Sequence, residues 1–182
     1  MPEFDYDALI AKIPDYPKPG VVFRDITTLL KDPEGFEAVI DGIAEHYADA
    51  GVTKVVGSEA RGFMIGAPVA YKLGAGFVPA RKPGKLPRQT RQQGYDLEYG
   101  TDTLEVHDDA IDPDDVVLIV DDLVATGGTA VAQAQLVESF GAKLVGFGFL
   151  MELVDLEPRA VIAQATDVEV FSLVQVHEPK PE

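Results

Sequence analysis

Residues 116–130 constrain the fold most strongly, and they read Val-Val-Leu-Ile-Val-Asp-Asp-Leu-Val-Ala-Thr-Gly-Gly-Thr-Ala. The segment starts with five consecutive apolar residues, which is the pattern of a strand covered on both faces of a parallel sheet. Two aspartates, a turn of small residues and a helical pattern follow. A strand that leads through a tight turn into a helix is the repeating unit of α/β folds. We therefore predict an α/β protein with a mostly parallel central sheet flanked by helices.

The rest of the chain repeats this alternation of strands and helices. Asp32 can cap a helix that starts at Pro33 and that Gly51 would end, because aspartate accepts hydrogen bonds at a helix start and proline suits its first turn. The other predicted helices cover residues 7–12, 62–73 and 129–140, and the predicted strands cover residues 21–23, 54–57, 76–81, 103–106, 116–120, 143–150 and 168–174.

A long break without a periodic pattern interrupts the alternation between residues 82 and about 100. It contains two prolines and three glycines, and it holds most of a basic cluster. Such a stretch inside a small domain is uncommon and often forms a lid or a binding loop. The cluster suggests a local anionic ligand, although a solvated loop that interrupts negative charge is an equally good interpretation from the pattern alone. The cluster consists of Arg81, Lys82, Lys85, Arg88 and Arg91.

The turn after the apolar strand has the properties of a phosphate site. At a strand-to-helix turn, several backbone N–H groups and the positive end of the helix dipole point to one place. Gly127 and Gly128 let an anion approach the backbone, and Thr126 and Thr129 add hydroxyl donors. The turn has neither the lysine of a Walker A loop nor the spacing of GxGxxG, so it predicts neither nucleoside-triphosphate hydrolysis nor dinucleotide binding.

Asp121 and Asp122 come at the carboxyl end of the same strand, where open α/β sheets bind ligands. Two adjacent carboxylates in front of a phosphate site can bind two ribose hydroxyls, either directly by accepting their hydrogen bonds or through a shared Mg²⁺. The structural alternative is that Asp122 caps a turn and that Gly127 and Gly128 only tighten it. The segment as a whole favours the ligand site.

Composition excludes several classes of function. The chain has 182 residues and no cysteine, which rules out disulfide frameworks, thiolate nucleophiles and Cys-ligated metal sites. Its formal net charge of −16 argues against nucleic-acid and anionic-membrane partners. No apolar run is long enough to cross a bilayer. The N-terminal residues 1–7 carry three acids and no base, which is the wrong flank for a targeting peptide and predicts a cytoplasmic protein.

Residues 117–129 resemble the signature that binds phosphoribosyl pyrophosphate (PRPP) in type I phosphoribosyltransferases. Further blocks are similar to the adenine phosphoribosyltransferase family, and with the signature they occur in that family's order over residues 13–155. These blocks are Tyr16-Pro17, Lys18-Pro-Gly-Val-Val-Phe-Arg-Asp-Ile26, Glu59-Ala-Arg-Gly-Phe63, Arg81-Lys-Pro-Gly-Lys-Leu-Pro87 and Tyr95-Asp-Leu-Glu-Tyr-Gly100. The signature indicates the superfamily, and the other blocks indicate the narrower family.

The resemblance implies one domain over residues 1–182 with the type I phosphoribosyltransferase fold. It implies a small N-terminal hood, mainly residues 1–30, and a flexible lid at about 82–100. The implied activity is transfer of the phosphoribosyl group from PRPP to adenine, which gives AMP and pyrophosphate in purine salvage. The implied cofactor is Mg²⁺, held mainly by PRPP, pyrophosphate and water rather than by direct protein ligands.

The resemblance also implies roles for individual residues. Ala125, Thr126, Gly127, Gly128 and Thr129 would hold the 5′-phosphate, and Asp121 and Asp122 would face the ribose hydroxyls. The pyrophosphate group would lie against Arg61, Arg81, Lys82 and Lys85.

Two further roles concern the base and the lid. Adenine would contact Val22, Phe23, Arg24 and Leu153, although plain core packing is a competing interpretation of Phe23. Glu98, in the lid, would act on the base. In the family the residue at Lys85 commonly reaches across a dimer, which implies a homodimer.

Three alternatives define what else the chain could be. One is a phosphoribosyltransferase for hypoxanthine, guanine or xanthine, which would need a partner for the 6-oxo group near Leu153. The second is a PRPP-sensing regulator that binds nucleic acid, which would need a basic face or a helix-turn-helix extension. PRPP synthetase would need a nucleoside-triphosphate site. The chain departs from the family pattern at Ser58 and Gln89, which concerns the dynamics of the lid. It departs most over residues 154–166, which border the base pocket, so base choice is the feature that the resemblance supports least.

Overall fold

A computed structural model describes residues 4–96 and 101–177, and for residues 95, 96 and 101 the backbone only. The strands are β1 Ala11–Pro14, β2 Val22–Asp25, β3 Lys54–Ser58, β4 Gly76–Ala80, β5 Thr90–Asp96, β6 Thr101–His107, β7 Val116–Val124, β8 Lys143–Leu153 and β9 Glu169–Val176. The α-helices are α1 Thr27–Leu30, α2 Pro33–His46, α3 Arg61–Leu73, α4 Gly128–Ser139 and α5 Pro158–Ile162, and single 3₁₀ turns cover Asp7–Leu9 and Val154–Leu156.

The central sheet has five parallel strands in the order β4-β3-β7-β8-β9, which confirms the predicted α/β class. The strand β7 lies in the middle, and its apolar run alternates between two cores because successive side chains of a strand point to opposite faces. Leu118 and Val120 pack in the core under α2 and α3. Val117 and Ile119 pack in the core under α4.

Two antiparallel hairpins flank the sheet. The strands β1 and β2 pair from Ala11↔Asp25 to Pro14↔Val22 and form the N-terminal hairpin. The strands β5 and β6 pair from Thr90↔His107 to Asp96↔Thr101. A guanidinium carbon of Arg91 lies 4.1 Å from the centre of the Phe140 ring, and this contact joins the second hairpin to the end of α4.

Several predicted elements have the expected position. The helix α2 begins at Pro33, where the Asp32 side chain accepts a hydrogen bond of 2.8 Å from the backbone N–H of Gly35. It ends at His46, five residues before Gly51, because residues 47–51 form turns. The helix α3 ends at Leu73, as predicted, and Gly74, with a φ of 68°, caps it.

Three predictions about secondary structure are wrong. Residues 7–12 do not form one helix, since a single 3₁₀ turn is followed by strand β1. The stretch from 82 to 100 is not a continuous break, since residues 90–96 form strand β5. The short helices α1 and α5 have no equivalent in the predicted pattern. In the described residues no helix is both long and apolar enough to span a bilayer.

Candidate active site

Two buried carboxylates define the centre of the site, at the carboxyl end of β7. Asp121 and Asp122 are only 8% and 6% exposed. The Ser58 hydroxyl, at the end of the neighbouring strand β3, donates a hydrogen bond to Asp121. The backbone N–H of Asp122 donates a second one, of 2.9 Å, to the same carboxylate. A Cβ atom on Gly62 would lie 2.7 Å from Oδ1 of Asp121, so the start of α3 can approach this carboxylate because residue 62 has no side chain.

The environment of Asp121 opposes its ionisation. Burial raises the pKa of Asp121 well above the usual value, and the neighbouring negative charge of Asp122 raises it further. The hydrogen bond from Ser58 acts in the opposite direction. A strongly perturbed carboxyl group in a cleft is typical of a functional site, since such an arrangement costs stability.

Arg61 lies beside the second carboxylate, between two cavities. Its Nε atom is 2.8 Å from Oδ2 of Asp122, and its guanidinium carbon is 5.9 Å from the centre of the Phe23 ring. The side chain is 43% exposed, so it can also turn towards a ligand. Arg61 is the first residue of α3 and follows a cis peptide bond between Glu59 and Ala60.

A largely apolar cavity of about 160 Å³ lies on one side of Arg61. Phe23 belongs to β2 of the N-terminal hairpin, and the Tyr16 ring packs edge-on against it at 5.3 Å. The cavity has the flat aromatic wall and the small size that suit a planar base. Its lining includes Val22, Phe23, Arg24 and Leu153, together with Val21, Ile26, Leu123 and Met151.

A second cavity, of about 210 Å³, lies on the other side of Arg61 and is mostly polar. Lys82 and Glu59 line it, and so do both aspartates. Lys82 forms an ion pair with Asp102 of strand β6. This cavity therefore places two cations, Arg61 and Lys82, next to the buried carboxylates.

Glu59 organises the basic residues around the polar cavity. Its carboxylate accepts hydrogen bonds from the backbone N–H of Lys82 and from the Arg81 guanidinium, with Nη2 at 3.1 Å. The bond from Lys82 and those from Arg81 hold the pKa of Glu59 below its usual range. Arg81 also donates to the backbone carbonyl of Lys85, at 3.3 Å, while the Lys85 side chain is exposed.

The predicted phosphate loop connects β7 to α4. Gly127 has a φ of 89°, in the region that favours glycine, and a Cβ atom there would lie 2.9 Å from the carbonyl oxygen of Pro158. The helix begins at Gly128, so the first backbone N–H groups of α4 face the loop. A third cavity, of about 110 Å³, lies against the loop and is lined by Ala125, Thr126, Gly127 and Thr129, among others.

The structure brings most of the predicted site residues together. The four predicted base contacts line one cavity, and Arg61 and Lys82 line the polar one with both aspartates. Arg81 and Lys85 do not line these cavities. Two other members of the basic cluster lie elsewhere, since Arg88 pairs with Asp109 and Arg91 pairs with Asp108.

Glu98 lies outside the described residues, so its role stays a prediction. Sequence reasoning missed three groups at the site, namely the Ser58 donor, the Leu123 side chain between the cavities and the buried Gln133 amide. Leu123 could have been found, because it directly follows the two aspartates at the carboxyl end of β7, where open α/β sheets bind ligands. Among the described residues no group of three or more histidines, aspartates and glutamates could hold a metal ion.

Comparison with known proteins shows the family to which the chain belongs. The family of the phosphoribosyl transferase domain matches residues 25–178. The chain is 56% identical over 173 residues to adenine phosphoribosyltransferase from Trichormus variabilis, with 94% of this chain and 99% of the relative covered.

Solved structures of adenine phosphoribosyltransferases are also similar. The structure from Rhodothermus marinus has a TM-score of 0.88 at 48% sequence identity, and the match covers 94% of this chain and 96% of the Rhodothermus chain. That from Giardia lamblia, in complex with 9-deazaadenine, has a TM-score of 0.89 at 40% identity, with coverages of 96% and 97%. With such identity over nearly the whole length, this chain belongs to the adenine phosphoribosyltransferase family of type I phosphoribosyltransferases.

Proposed function

We propose that this site transfers the 5-phosphoribosyl group of PRPP to adenine, which gives AMP and pyrophosphate in purine salvage. One observation carries the proposal. The buried pair Asp121 and Asp122 lies where an apolar cavity, a polar cavity with cations and a glycine-rich helix start meet. These surroundings suit a base, a pyrophosphate group and a 5′-phosphate, while the two carboxylates suit the ribose between them.

The proposed roles follow from these surroundings. The loop of Ala125–Thr129 would hold the 5′-phosphate through backbone N–H groups and hydroxyls. Asp121 and Asp122 would accept hydrogen bonds from the ribose hydroxyls. Adenine would lie in the apolar cavity against Phe23, with Val22, Arg24 and Leu153 around it. The Giardia lamblia relative, which was solved with 9-deazaadenine, supports a purine in this family's site.

The pyrophosphate group would occupy the polar cavity. Arg61 and Lys82 line that cavity and would contact its oxygens. Arg81 would act indirectly, because its guanidinium holds the Glu59 carboxylate in place. The exposed side chain of Lys85 would contact the pyrophosphate of its own subunit or that of a partner subunit. The pairs that Arg61 and Lys82 form with Asp122 and Asp102 would be exchanged for contacts with pyrophosphate.

Mg²⁺ fits this arrangement as an ion held mainly by the substrate. The ion prefers phosphate oxygens, water and only one or two carboxylates, and the described residues offer two adjacent aspartates rather than a cage of acids. When bound, it would offset negative charge on the departing pyrophosphate. Asp121 and Asp122 line the polar cavity and would help to hold the ion, while the third carboxylate there, that of Glu59, accepts hydrogen bonds from Arg81 and Lys82.

The chemistry is a displacement at C1′ of PRPP. A ring nitrogen of adenine forms a bond to C1′ while the bond from C1′ to the pyrophosphate oxygen breaks, and the electron pair leaves with pyrophosphate. Positive charge develops on the ribose in the transition state, as in other glycosyl transfers. Arg61 and Lys82 would stabilise the leaving group, and Glu98 would accept the proton or a hydrogen bond from the base.

Three further features belong to the proposal. Residues of the lid, 82–100, would exclude water so that PRPP is not hydrolysed. A homodimer, supported by the exposed Lys85, would complete the site. A cytoplasmic location is also part of the proposal. Light scattering during gel filtration tests the dimer, because a monomer has a mass of 19.6 kDa.

In the direct test, the protein is incubated with PRPP and Mg²⁺ together with adenine, hypoxanthine or guanine in parallel reactions. The nucleotide formed in each reaction is measured by chromatography. We expect AMP only. Formation of IMP or GMP instead would keep the PRPP site and overturn the assignment of adenine. No nucleotide from any base, together with measurable binding of PRPP, would favour a regulator.

A further inference from the structure

The buried side chain of Gln133 lies near the site and has no role in the proposed function. It belongs to α4 and is only 1% exposed. Neither its Oε1 nor its Nε2 atom has a hydrogen-bond partner among the described residues. Buried amides of this kind are rare, because leaving the group without partners costs stability that an apolar side chain would not lose.

The position of Gln133 on α4 directs it towards the phosphate loop. It follows Thr129 by four residues, so the two side chains lie on the same face of the helix, one turn apart. The neighbouring buried positions of the helix are apolar, and they include Ala130, Ala134 and Val137. A polar residue at this one buried position is therefore not explained by packing against the core.

Gln133 lines the cavity of about 110 Å³ that lies against the loop. The loop contributes Thr126, Gly127 and Thr129 to the same cavity, and Asp121 contributes a carboxylate. The start of α4 directs backbone N–H groups and a partial positive charge to this place. The cavity thus combines the donors of a helix start with an amide that still has its hydrogen-bonding capacity.

We propose that Gln133 is a ligand-binding residue for the 5′-phosphate, and that its amide N–H group donates a hydrogen bond to a phosphate oxygen, directly or through one water molecule. The inference rests on the proposed function, since it assumes that the loop of Ala125–Thr129 holds the 5′-phosphate of PRPP and AMP. A hydrogen bond to a charged group is stronger than one between neutral groups, which makes the phosphate the partner that best compensates burial of the amide.

Two variants test the inference. Gln133→Met keeps the length of the side chain and removes the donor, while Gln133→Glu keeps the shape and places an acid near the phosphate. We expect Gln133→Met to raise the KM for PRPP about tenfold, the effect of losing one hydrogen bond to a charged group. Gln133→Glu should raise it further. The KM for adenine should stay within twofold, because adenine has no phosphate.

The matched control is Gln135→Met, which changes the same residue type on the same helix at an exposed position. It should leave both KM values unchanged. The melting temperature separates binding from packing. Gln133→Met should not lower the melting temperature of the unliganded protein, since the variant replaces a buried amide that has no partner.

Calorimetric titration with PRPP and with adenine gives a second measurement that does not depend on turnover. If both Gln133 variants bind PRPP as tightly as the parent protein, the inference is wrong, and a lower melting temperature would then make Gln133 a packing residue. If the parent protein binds PRPP but makes no AMP, the proposed function fails, and the loss of PRPP affinity in the variants would still support the phosphate contact.

Discussion

Ser58 donates its hydroxyl hydrogen to the carboxylate of Asp121 across two neighbouring strands of the central sheet. Both residues are buried, and 63 positions separate them in the sequence. The bond partly offsets two effects that raise the pKa of Asp121, which are its burial and the adjacent charge of Asp122. Ser58 therefore favours the ionised form of Asp121 and fixes the orientation of its carboxylate.

The first prediction concerns this hydrogen bond. Ser58→Ala should lower kcat/KM for PRPP about ten- to a hundredfold, since a hydrogen bond to a charged group contributes about 1.5–3 kcal/mol. The pKa of Asp121 should rise further, so the acid limb of kcat/KM against pH should move to higher pH. Ser58→Thr keeps the hydroxyl and serves as the control. An unchanged pH profile in Ser58→Ala would show that the bond does not tune Asp121.

The second prediction concerns the cost of burying this acid. Folding raises the pKa of the Asp121 carboxyl group above its value in the unfolded chain, about 3.8. The group therefore destabilises the fold least below about pH 3.8, where it is protonated in both states. Its burial becomes increasingly costly as the pH rises through the pKa that it has in the folded protein. Asp121→Asn removes the ionisable group and should therefore raise the melting temperature at pH 7.5. Each kcal/mol gained in the free energy of unfolding should raise it by about 2–4 °C. The gain should shrink as the pH falls towards 4.

The same variant should lose PRPP binding, because a neutral amide accepts hydrogen bonds from the ribose less strongly than a carboxylate does. Scanning calorimetry over a series of pH values, together with PRPP titration, measures both effects. A melting temperature below that of the parent protein at pH 7.5 would contradict the sign of this prediction. Such opposite changes of stability and activity are expected where a site keeps a destabilised acid for function.

The centre of this site could be predicted from the sequence because its signals are local. The apolar run of β7, the two aspartates and the glycine pair are contiguous, so strand, acids and helix start follow from one segment of chain. The periodic faces of α2 and α3 are equally local. For the same reason, the position of Arg61 at a second strand-to-helix turn could be predicted.

The elements that the sequence did not predict depend on partners far along the chain. Strand β5 reads Thr-Arg-Gln-Gln-Gly-Tyr-Asp and has no apolar alternation, so it forms a strand through pairing with β6, whose Leu104 and Val106 are buried. The charges of Arg88 and Arg91 belong to ion pairs with Asp109 and Asp108 rather than to a ligand. A local pattern of basic residues carries no information about such distant partners.

The third prediction concerns the ion pair between Arg159 of α5, a helix of only five residues, and Glu152 of strand β8. The Arg159 guanidinium donates to both oxygens of Glu152, at 2.8 and 2.7 Å, and Ser172 donates to the same carboxylate. Arg159→Met would leave the buried carboxylate of Glu152 without its cation. We expect a loss of about 2 kcal/mol, below the usual cost for a fully buried pair because Arg159 is half exposed.

The pH dependence of that loss has a definite sign. Burial raises the pKa of Glu152, but the hydrogen bonds from Arg159 and Ser172 outweigh it and leave the pKa below its usual 4.5. The stability from this group is therefore present above about pH 4.5 and is lost as the pH falls through the folded pKa. The difference in melting temperature between Arg159→Met and the parent protein should shrink in acid.

The control for this pair is the double variant Arg159→Met with Glu152→Gln, which removes the unpaired charge and should recover most of the stability. Arg159→Lys should give an intermediate result, since lysine keeps the charge but not the two parallel hydrogen bonds. If the double variant is as unstable as Arg159→Met, the ion pair is not the source of the loss.

The fourth prediction distinguishes a base contact from core packing at Phe23. Its ring is half-buried, lines the apolar cavity and lies 5.9 Å from the guanidinium carbon of Arg61. Phe23→Ala should raise the KM for adenine at least tenfold, because removing the aromatic wall of the cavity loses about 1.5–3 kcal/mol of contact with the base. The KM for PRPP should change less than threefold.

The measurement is steady-state kinetics with each substrate varied in turn, with melting curves of each variant. Phe23→Tyr is the control, since it keeps the ring and should retain the affinity for adenine. A fall in melting temperature with an unchanged KM for adenine would identify Phe23 as a packing residue of the hairpin. A rise in the KM for adenine with little change in stability would instead show that the N-terminal hairpin supplies one wall of the base site, as the position of Phe23 over the cavity indicates.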